Sequence, residues 1–526
     1  MARLPLSVQA IESSYCVRTT PRKKQTAYST WIWVLTFITY CAYHMSRKPI
    51  SVVKSVLNQN CSDMTPPDNT TNNTHWCDWA PFGKQEDGDN SASLLSTVDS
   101  SFLFAYAVSM FLSGMVAERI DLRIFLSAGM VLSGAFCAMF GLGYTFKIHY
   151  LWFYILAQVL SGLVQSTGWP GVVTCMANWF GKGKRGLIMG IWNSHTSLGN
   201  ILGTVIAASF VTENWALSFI IPGLIIAALG VLVFFFMVPD PSLVSLPNPN
   251  NKEEGVSPPQ TRRQRLPNFA DTSDEEAASL LDHESPVNYD DKTKEAQATE
   301  VEMHPRDDKA VGLKQALAIP GVVEFSLCLF FAKLVSYTFL YWLPYYINSK
   351  EDSGGVEESA NLSTFFDVGG IIGGILAGVV SDYSGMSAST CSVMLIVAIP
   401  MMFVYQTFGS VSNGMNIFLL ILVGILVNGP YALITTAVSA DLGTHKSLKG
   451  NAKALATVTA IIDGTGSIGA AVGPQLAGPI SNYGWSYVFL MLMVSDLLAL
   501  LLLTRLVMRE VRGWYSKRRQ QPHTPL

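Results

Sequence analysis

The sequence predicts an all-α membrane protein with twelve transmembrane helices in two pseudo-symmetric bundles of six. Three observations predict it. Of 526 residues, 49% are hydrophobic and only 14% charged, with a mean hydropathy of +0.31; an ordinary soluble protein carries about 25% charged residues. Twelve apolar runs are long enough to cross a bilayer, near residues 28–50, 94–116, 123–145, 150–175, 186–210, 215–238, 321–347, 362–382, 388–407, 413–438, 452–477 and 484–508. Short patterns also recur at corresponding places in the first six runs and the last six.

Residues 1–27 form a polar N-terminal tail without the apolar stretch of a cleaved signal peptide, so the first span is expected to be a retained anchor. Residues 28–238 form the first bundle, with a hydrophilic loop at 51–93. Residues 239–320 break the apolar pattern, are rich in Pro, Asp, Glu, Ser and Thr, and are expected to be a disordered acidic linker. From 239 to 318 there are 16 acidic and 9 basic residues, which leaves 22 acidic and 26 basic elsewhere. The net charge of −3 therefore hides a mildly basic body. Within the linker, Thr272-Ser273-Asp-Glu-Glu suits a phosphorylation site and Glu275-Glu276-Ala-Ala-Ser-Leu-Leu a sorting signal, against the plainer reading of a tether. Residues 321–508 form the second bundle, and 509–526 a basic tail suited to lipid contact.

Alternate connections differ sharply in basic residues. One set holds Arg22, Lys23 and Lys24, then Arg119 and Arg123, then Lys182, Lys184 and Arg185, then Lys446 and Lys449, then Arg509 to Arg519. The other holds Lys84, Lys147 and Lys350 and little else. The positive-inside rule then makes both termini and the linker cytoplasmic. The loop at 51–93 falls on the other side and carries glycosylation acceptors at Asn60, Asn69 and Asn72. Cys61 and Cys77 share that loop and are expected either to pair as a disulfide or to remain free thiols. The other six cysteines have no metal-ligand spacing and are expected to pack.

The halves look related. Gly114-Met-Val-Ala-Glu118 ends the second span and Gly378-Val-Val-Ser-Asp382 the eighth, 264 residues on. The same offset joins Lys184-Arg185-Gly186 to Leu448-Lys449-Gly450. These residues resemble the major facilitator superfamily, whose signature after the second helix is Gly-x-x-x-Asp-Arg-x-Gly-Arg-Arg. Glu118 stands for the Asp, Arg119 and Arg123 match, and Asp121 replaces a glycine. The small Gly114 is expected to let helices approach closely. Glu118 and Asp382, with Arg119 and Arg123, are expected to form a conformation-dependent latch or else a solvated charge cluster.

A charge inside a span costs about 2.5–3.5 kcal/mol on insertion scales, so each needs a reason. Arg47 and Lys48 follow an aromatic run in the first span, and Lys333 sits well inside the seventh. Allowing for the longer loop of the first half, Arg47 and Lys333 are pseudo-symmetry mates facing one cavity. Two cations there call for an anion; Arg recognises phosphate bidentately and Lys as a point charge. The alternatives are snorkelling for Arg47, and a structural ion pair with Glu324 or Asp367 for Lys333; Lys48 is expected to snorkel. His195 can donate to a phosphate oxygen or can be a satisfied packing residue. Asp463 can pair with Lys333 or Arg47, contact a sugar, or serve helix packing. Asn428, Tyr431, Gln158 and Gln165 are further polar candidates. The Gly464–Gly473 stretch lacks a Gly-Lys-Ser/Thr ending, so it points to close helix packing rather than a phosphate loop.

The segment Gly168-Trp169-Pro170, Trp179-Phe180, Lys184-Arg185-Gly186 and Trp192-Asn193-Ser194-His195 resembles the organophosphate:phosphate antiporter family within that superfamily. Tyr40-x-x-Tyr43 with Arg47-Lys48, and Gly429-Pro430, extend the likeness over essentially all twelve spans. Met110 stands where many relatives carry a lysine, and Gly171 replaces a second proline. The chain looks most similar to the animal sugar-phosphate (glucose-6-phosphate:phosphate) exchanger group. That resemblance implies an antiporter that exchanges sugar phosphate for inorganic phosphate in the endoplasmic reticulum, with endolysosomal or plasma membranes as alternatives. It assigns Arg47 and Lys333 to a phosphate clamp, with His195 and Tyr43 beside it. The expected partners are sugar phosphate, inorganic phosphate and membrane lipids, with a homodimer left open and no nucleic acid. No paired acid and base, nucleophile or metal constellation points to an enzyme, and no cofactor is implied. Proton-coupled organic-anion transport and a non-transporting sensor or scaffold are the rival functions.

Overall fold

The computed structural model describes residues 4–5, 7–10, 20–58, 79–82, 91–117, 119–180, 191–247, 313–350, 354–443 and 452–520. Among them the regular structure is helical, and twelve long segments follow in the expected order. The first six spans are Pro21–Arg47 continued by Pro49–Leu57, Ser91–Ala117, Leu122–Thr145, Leu151–Gln165 continued by Gly168–Trp179, His195–Val211, and Trp215–Phe236. The last six are Val322–Asn348, Val356–Ser384, Ser387–Phe408, Asn413–Leu433 prolonged by a π turn at Ile434–Val438, Ala452–Ser481, and Trp485–Gln520. Seven described stretches are long and apolar enough to cross a membrane, and one of them, His195–Phe236, holds two spans. The fourth span falls outside that set because its break leaves pieces of 15 and 12 residues. Leu224, Phe403, Phe418 and Leu501 are more than half exposed, as side chains facing lipid would be.

Span ends are set by short polar caps. The side chains of Asp121, Asn214 and Ser412 accept from the backbone N–H of Arg123, Ala216 and Met415 at 3.0, 3.1 and 3.2 Å, opening spans three, six and ten. Several boundaries differ from expectation. The first span begins at Pro21 rather than 28 and does not stop at 50, because Pro49 occupies a first-turn position where its missing N–H is tolerated. The expected linker is shorter too. Asp240 caps a 3₁₀ turn at Pro241–Val244, Val244 and Leu246 are buried, and Trp179 donates to the Val238 carbonyl at 2.8 Å. Leu313–Leu317 is helical, with Ala316 and Ile319 buried, so both ends of 239–320 are folded onto the bundles. The apolar residues there are few, and the sequence pattern hides them among Pro and Ser.

Small residues bring the site-bearing helices together. A Cβ at Gly199 would lie 2.3 Å from the Cys41 carbonyl, and one at Gly203 only 2.4 Å from that of Met45, so span five seats directly on the first span beside His44 and Lys48. The expected packing role of Gly464–Gly473 holds: a Cβ at Gly469 would lie 2.0 Å from the Phe330 carbonyl of span seven. Gly203→Val is therefore expected to destabilise the protein by roughly 3 kcal/mol or more; a melting temperature unchanged in detergent contradicts the close approach.

Candidate functional site

The halves meet around a narrow cleft. It is lined mainly by spans one, five, seven, eight and ten, through His44, Asn200, Ser336, Asp367, Asn428 and Tyr431 among others. Hydrogen bonds between the halves cluster toward the end where Leu57 and Ser91 lie. Lys48 Nζ donates to the Leu340 carbonyl at 2.7 Å, Lys54 Nζ to that of Tyr341 at 3.0 Å, and Asn58 to the Tyr345 hydroxyl at 3.2 Å. Ser100 donates to the Ala471 carbonyl at 3.3 Å. The cleft runs from the level of Asp367 toward the opposite, basic end, where Asn193 and Ser194 lead into span five.

Arg47 is buried in the first half. Its Nε donates to Gln165 Oε1 at 2.7 Å, and its guanidinium lies 4.7 Å from the Tyr106 ring centroid and 5.8 Å from that of Phe102. Nη2 has no hydrogen-bond partner among the described residues. Lys333 is equally buried and pairs with Asp463 at 2.7 Å, while its Nζ sits 5.5 Å from the Tyr431 ring. Of the alternatives for Lys333, then, Asp463 is its partner; Glu324 pairs with Arg505 at 3.3 Å and Asp367 takes a hydrogen bond from Asn200 at 2.9 Å. Arg47 and Lys333 share neighbours, since Tyr106 and Tyr337 interact electrostatically with both. Tyr106 hydrogen-bonds Tyr40, and Tyr337 hydrogen-bonds Tyr431. Neither cation lines this cleft; Arg47 faces a separate small cavity with Gln158.

His195 is fully buried in an aromatic box, 4.4 Å from the Trp192 ring, 4.7 Å from Tyr40 and 6.2 Å from His44. Its Nε2 has no hydrogen-bond partner among the described residues. Asn428 accepts from Ser336 at 2.5 Å on the cleft wall. Tyr43 interacts electrostatically with Arg47 and also packs within the first half. Its hydroxyl meets Thr167 at 3.2 Å, and its ring packs where a Cβ on Gly168 would lie, so it serves the core of the first half. Tyr40, three residues earlier and on the same side of the helix, lies 5.8 Å from it between ring centroids and packs against His195.

The expected latch falls partly outside the described residues. Glu118 lies outside the described residues, as do Asn60, Asn69, Asn72, Cys61 and Cys77 and most of the linker. A Cβ at Gly114 or Gly378 would meet nothing within 4 Å among the described residues. Arg123 stays within its own half, 3.9 Å from Asp121 and 5.2 Å from the Phe234 ring. Arg119 and Asp382 are exposed. The carboxyl of Asp441 is held above the usual range by burial and by the neighbouring negative Asp382.

Sequence reasoning missed several residues. Lys54 and Asp99 form an ion pair with both side chains fully buried, and Lys54 Nζ stands 4.2 Å from the Trp342 ring. Lys48 does not snorkel; it is buried and tied to span seven. His44, Asn200 and Asp367 line the cleft. Where spans one, two, seven, eight and eleven meet, four buried cations (Arg47, Lys48, Lys54, Lys333) therefore face three buried carboxylates (Asp99, Asp367, Asp463) among the described residues. Asp496 lies apart, in span twelve beside Cys328.

The profile of the Major Facilitator Superfamily matches residues 35–452. The chain belongs to that superfamily. A bacterial homologue of the human lysosomal transporter Spinster, solved in an inward-facing and unoccupied conformation, shares the superfamily fold with a TM-score of 0.55 at 13% identity, over 92% of this chain and 96% of that one. Similarity to named members is much stronger. Glucose-6-phosphate exchanger SLC37A2 of Bos taurus is 56% identical over 495 residues, 93% of this chain and 96% of that protein. The Homo sapiens protein of the same name is 56% identical over 486 residues, 92% and 93% of the two chains. Glucose-6-phosphate exchanger SLC37A1 of Mus musculus is 49% identical over 539 residues, 97% of each. This member of the superfamily is accordingly an all-helical, multi-pass membrane protein.

Proposed function

We propose that the protein exchanges a sugar phosphate, glucose 6-phosphate foremost, for inorganic phosphate by alternating access. The observation that carries this reading is the surplus, among the described residues, of one buried cation over buried carboxylates where the halves meet. An uncompensated charge in a low-dielectric interior is costly, and a bound anion relieves it. Arg47 lacks a carboxylate partner among the described residues and offers Nη2; Lys333 supplies a second donor once the anion competes with Asp463. Phosphate held between spans one and seven ties the halves together at their centre, so they rock around a fixed site. His195 stands beside Tyr40 to complete the phosphate end. The names of the relatives point to the same cargo.

With this reading go an endoplasmic reticulum membrane, cytoplasmic termini, and a glycosylated luminal loop at 51–93. The cleft then opens toward the cytoplasm, and Glu118, Arg119, Arg123 and Asp382 gather only when that side closes. The rest of 239–320 tethers the two bundles. The test is counterflow in proteoliposomes loaded with phosphate and offered a panel of labelled sugar phosphates. Accumulation of glucose 6-phosphate above its external concentration is expected. Uptake driven by a pH gradient, and indifferent to internal phosphate, would instead establish proton coupling.

A further inference from the structure

The two cations proposed to hold phosphate do not line the cleft between the halves, and the side chains that do are of another kind. Asn193, Ser197, Asn200, Ser336 and Asn428 are neutral hydrogen-bonding groups, and Asp367 is the one carboxylate on the wall. Asp367 comes from the buried face of span eight, held close to span ten: a Cβ at Gly369 would lie 2.2 Å from the Ile421 carbonyl. One of its oxygens is committed, accepting from Asn200 at 2.9 Å. The other, Oδ2, is buried without a hydrogen-bond partner among the described residues. A buried carboxylate oxygen in that state calls for a donor, and bare phosphate at neutral pH is a poor candidate because the two negative charges repel. A hydroxyl is a good one, since O–H···O⁻ bonds are short and strong.

The floor of the cleft points the same way. Gly370 lies one helical position from Gly369, and a Cβ there would fall 2.9 Å from both the Asn428 amide nitrogen and the Ser197 hydroxyl. Any side chain at that position would therefore fill the space between the two polar groups. The amide of Asn428 also has its oxygen engaged by Ser336, which orients its N–H₂ as a donor.

We infer that Asp367, with Asn200, Asn428 and Ser336 around the space kept open by Gly370, forms a hydroxyl-reading subsite that binds the sugar of a sugar phosphate and excludes inorganic phosphate. This rests on the transport reading above and adds an orientation to it: phosphate toward Arg47 and Lys333, ring hydroxyls toward span eight. A subsite built to accept from a sugar hydroxyl favours cargo that places one there, because its buried acceptor is otherwise left unpaired.

The test is the Asp367→Asn variant in proteoliposomes, with KM measured for glucose 6-phosphate and for phosphate against internal phosphate. Asparagine keeps the size and can still accept from Asn200, but it loses the charged second acceptor. The ratio of the KM for glucose 6-phosphate to that for phosphate is expected to rise about 10-fold to 100-fold. A ratio within twofold of the parent overturns the subsite, whether both constants move together or neither moves. Gly370→Ala, which intrudes only on flexible side-chain ends, is a second variant expected to raise the same ratio, and it decides the matter if Asp367→Asn does not fold. The parent protein separates the two claims. If phosphate-loaded liposomes with unmodified protein take up no sugar phosphate, the transport reading fails; if they do and both variants keep the parental ratio, only the subsite fails.

Discussion

Replacing Lys333 with alanine is expected to lower sugar-phosphate exchange by about 100-fold or more, as one charge-assisted contact to the anion is worth roughly 1.5–3 kcal/mol and a stranded carboxylate adds to the loss. The single variant alone cannot separate binding from structure, because Lys333 also neutralises Asp463 across a 2.7 Å contact. The double variant Lys333→Ala/Asp463→Ala does separate them. Removing both charges avoids an unpaired buried ion, so folded protein is expected to return to near the parental yield. Exchange is expected to stay at the level of Lys333→Ala, because the anion has still lost one of its two cations. Recovery of transport in the double variant would make the pair a structural one. Lys333→Arg keeps the charge but changes its shape, and is expected to retain part of the activity.

The second large effect is expected at Lys54. Its pair with Asp99 has both side chains fully buried, and its ammonium also donates to the Tyr341 carbonyl of the other half. Lys54→Ala leaves Asp99 charged and alone, a loss of about 3–5 kcal/mol that should appear as a lower melting temperature in detergent. The double variant Lys54→Met/Asp99→Leu replaces the pair with apolar groups of similar size and is expected to recover most of that stability. What it does not restore is the tie to span seven. Exchange by the double variant is therefore expected to stay impaired while its melting temperature approaches the parental one. Parental exchange rates in that variant would show that Lys54 only fills space between spans one and two.

Charges that interrupt an apolar run stand out in a sequence, which is why Arg47, Lys333, His195 and Asp463 were visible and why Lys333 could be expected to have an acidic partner. Which acid serves is a tertiary fact: Glu324, Asp367 and Asp463 all lie in spans, and only packing of span eleven against span seven, through Gly469, selects Asp463. Lys54 was missed because Pro49 looks like the end of a helix, whereas it opens a further nine-residue segment. Tyr40 and Tyr43 carry the same motif and both interact with Arg47, and only the packing of the first span decides that Tyr40 meets His195 while Tyr43 props Gly168. The twelve-span architecture was legible because it follows from hydropathy alone. The polar wall of Asn200, Ser336 and Asp367 was not, because one polar residue on a buried helix face carries no mark of what it meets.

The central claim is that an anion completes a site whose cations outnumber its carboxylates, so that the halves rearrange readily only with cargo bound. Uptake of labelled phosphate into proteoliposomes tests it most directly, comparing vesicles loaded with unlabelled phosphate against vesicles holding no transportable anion. Fast uptake into the first and little into the second is the predicted result. Equal rates in both would contradict the account.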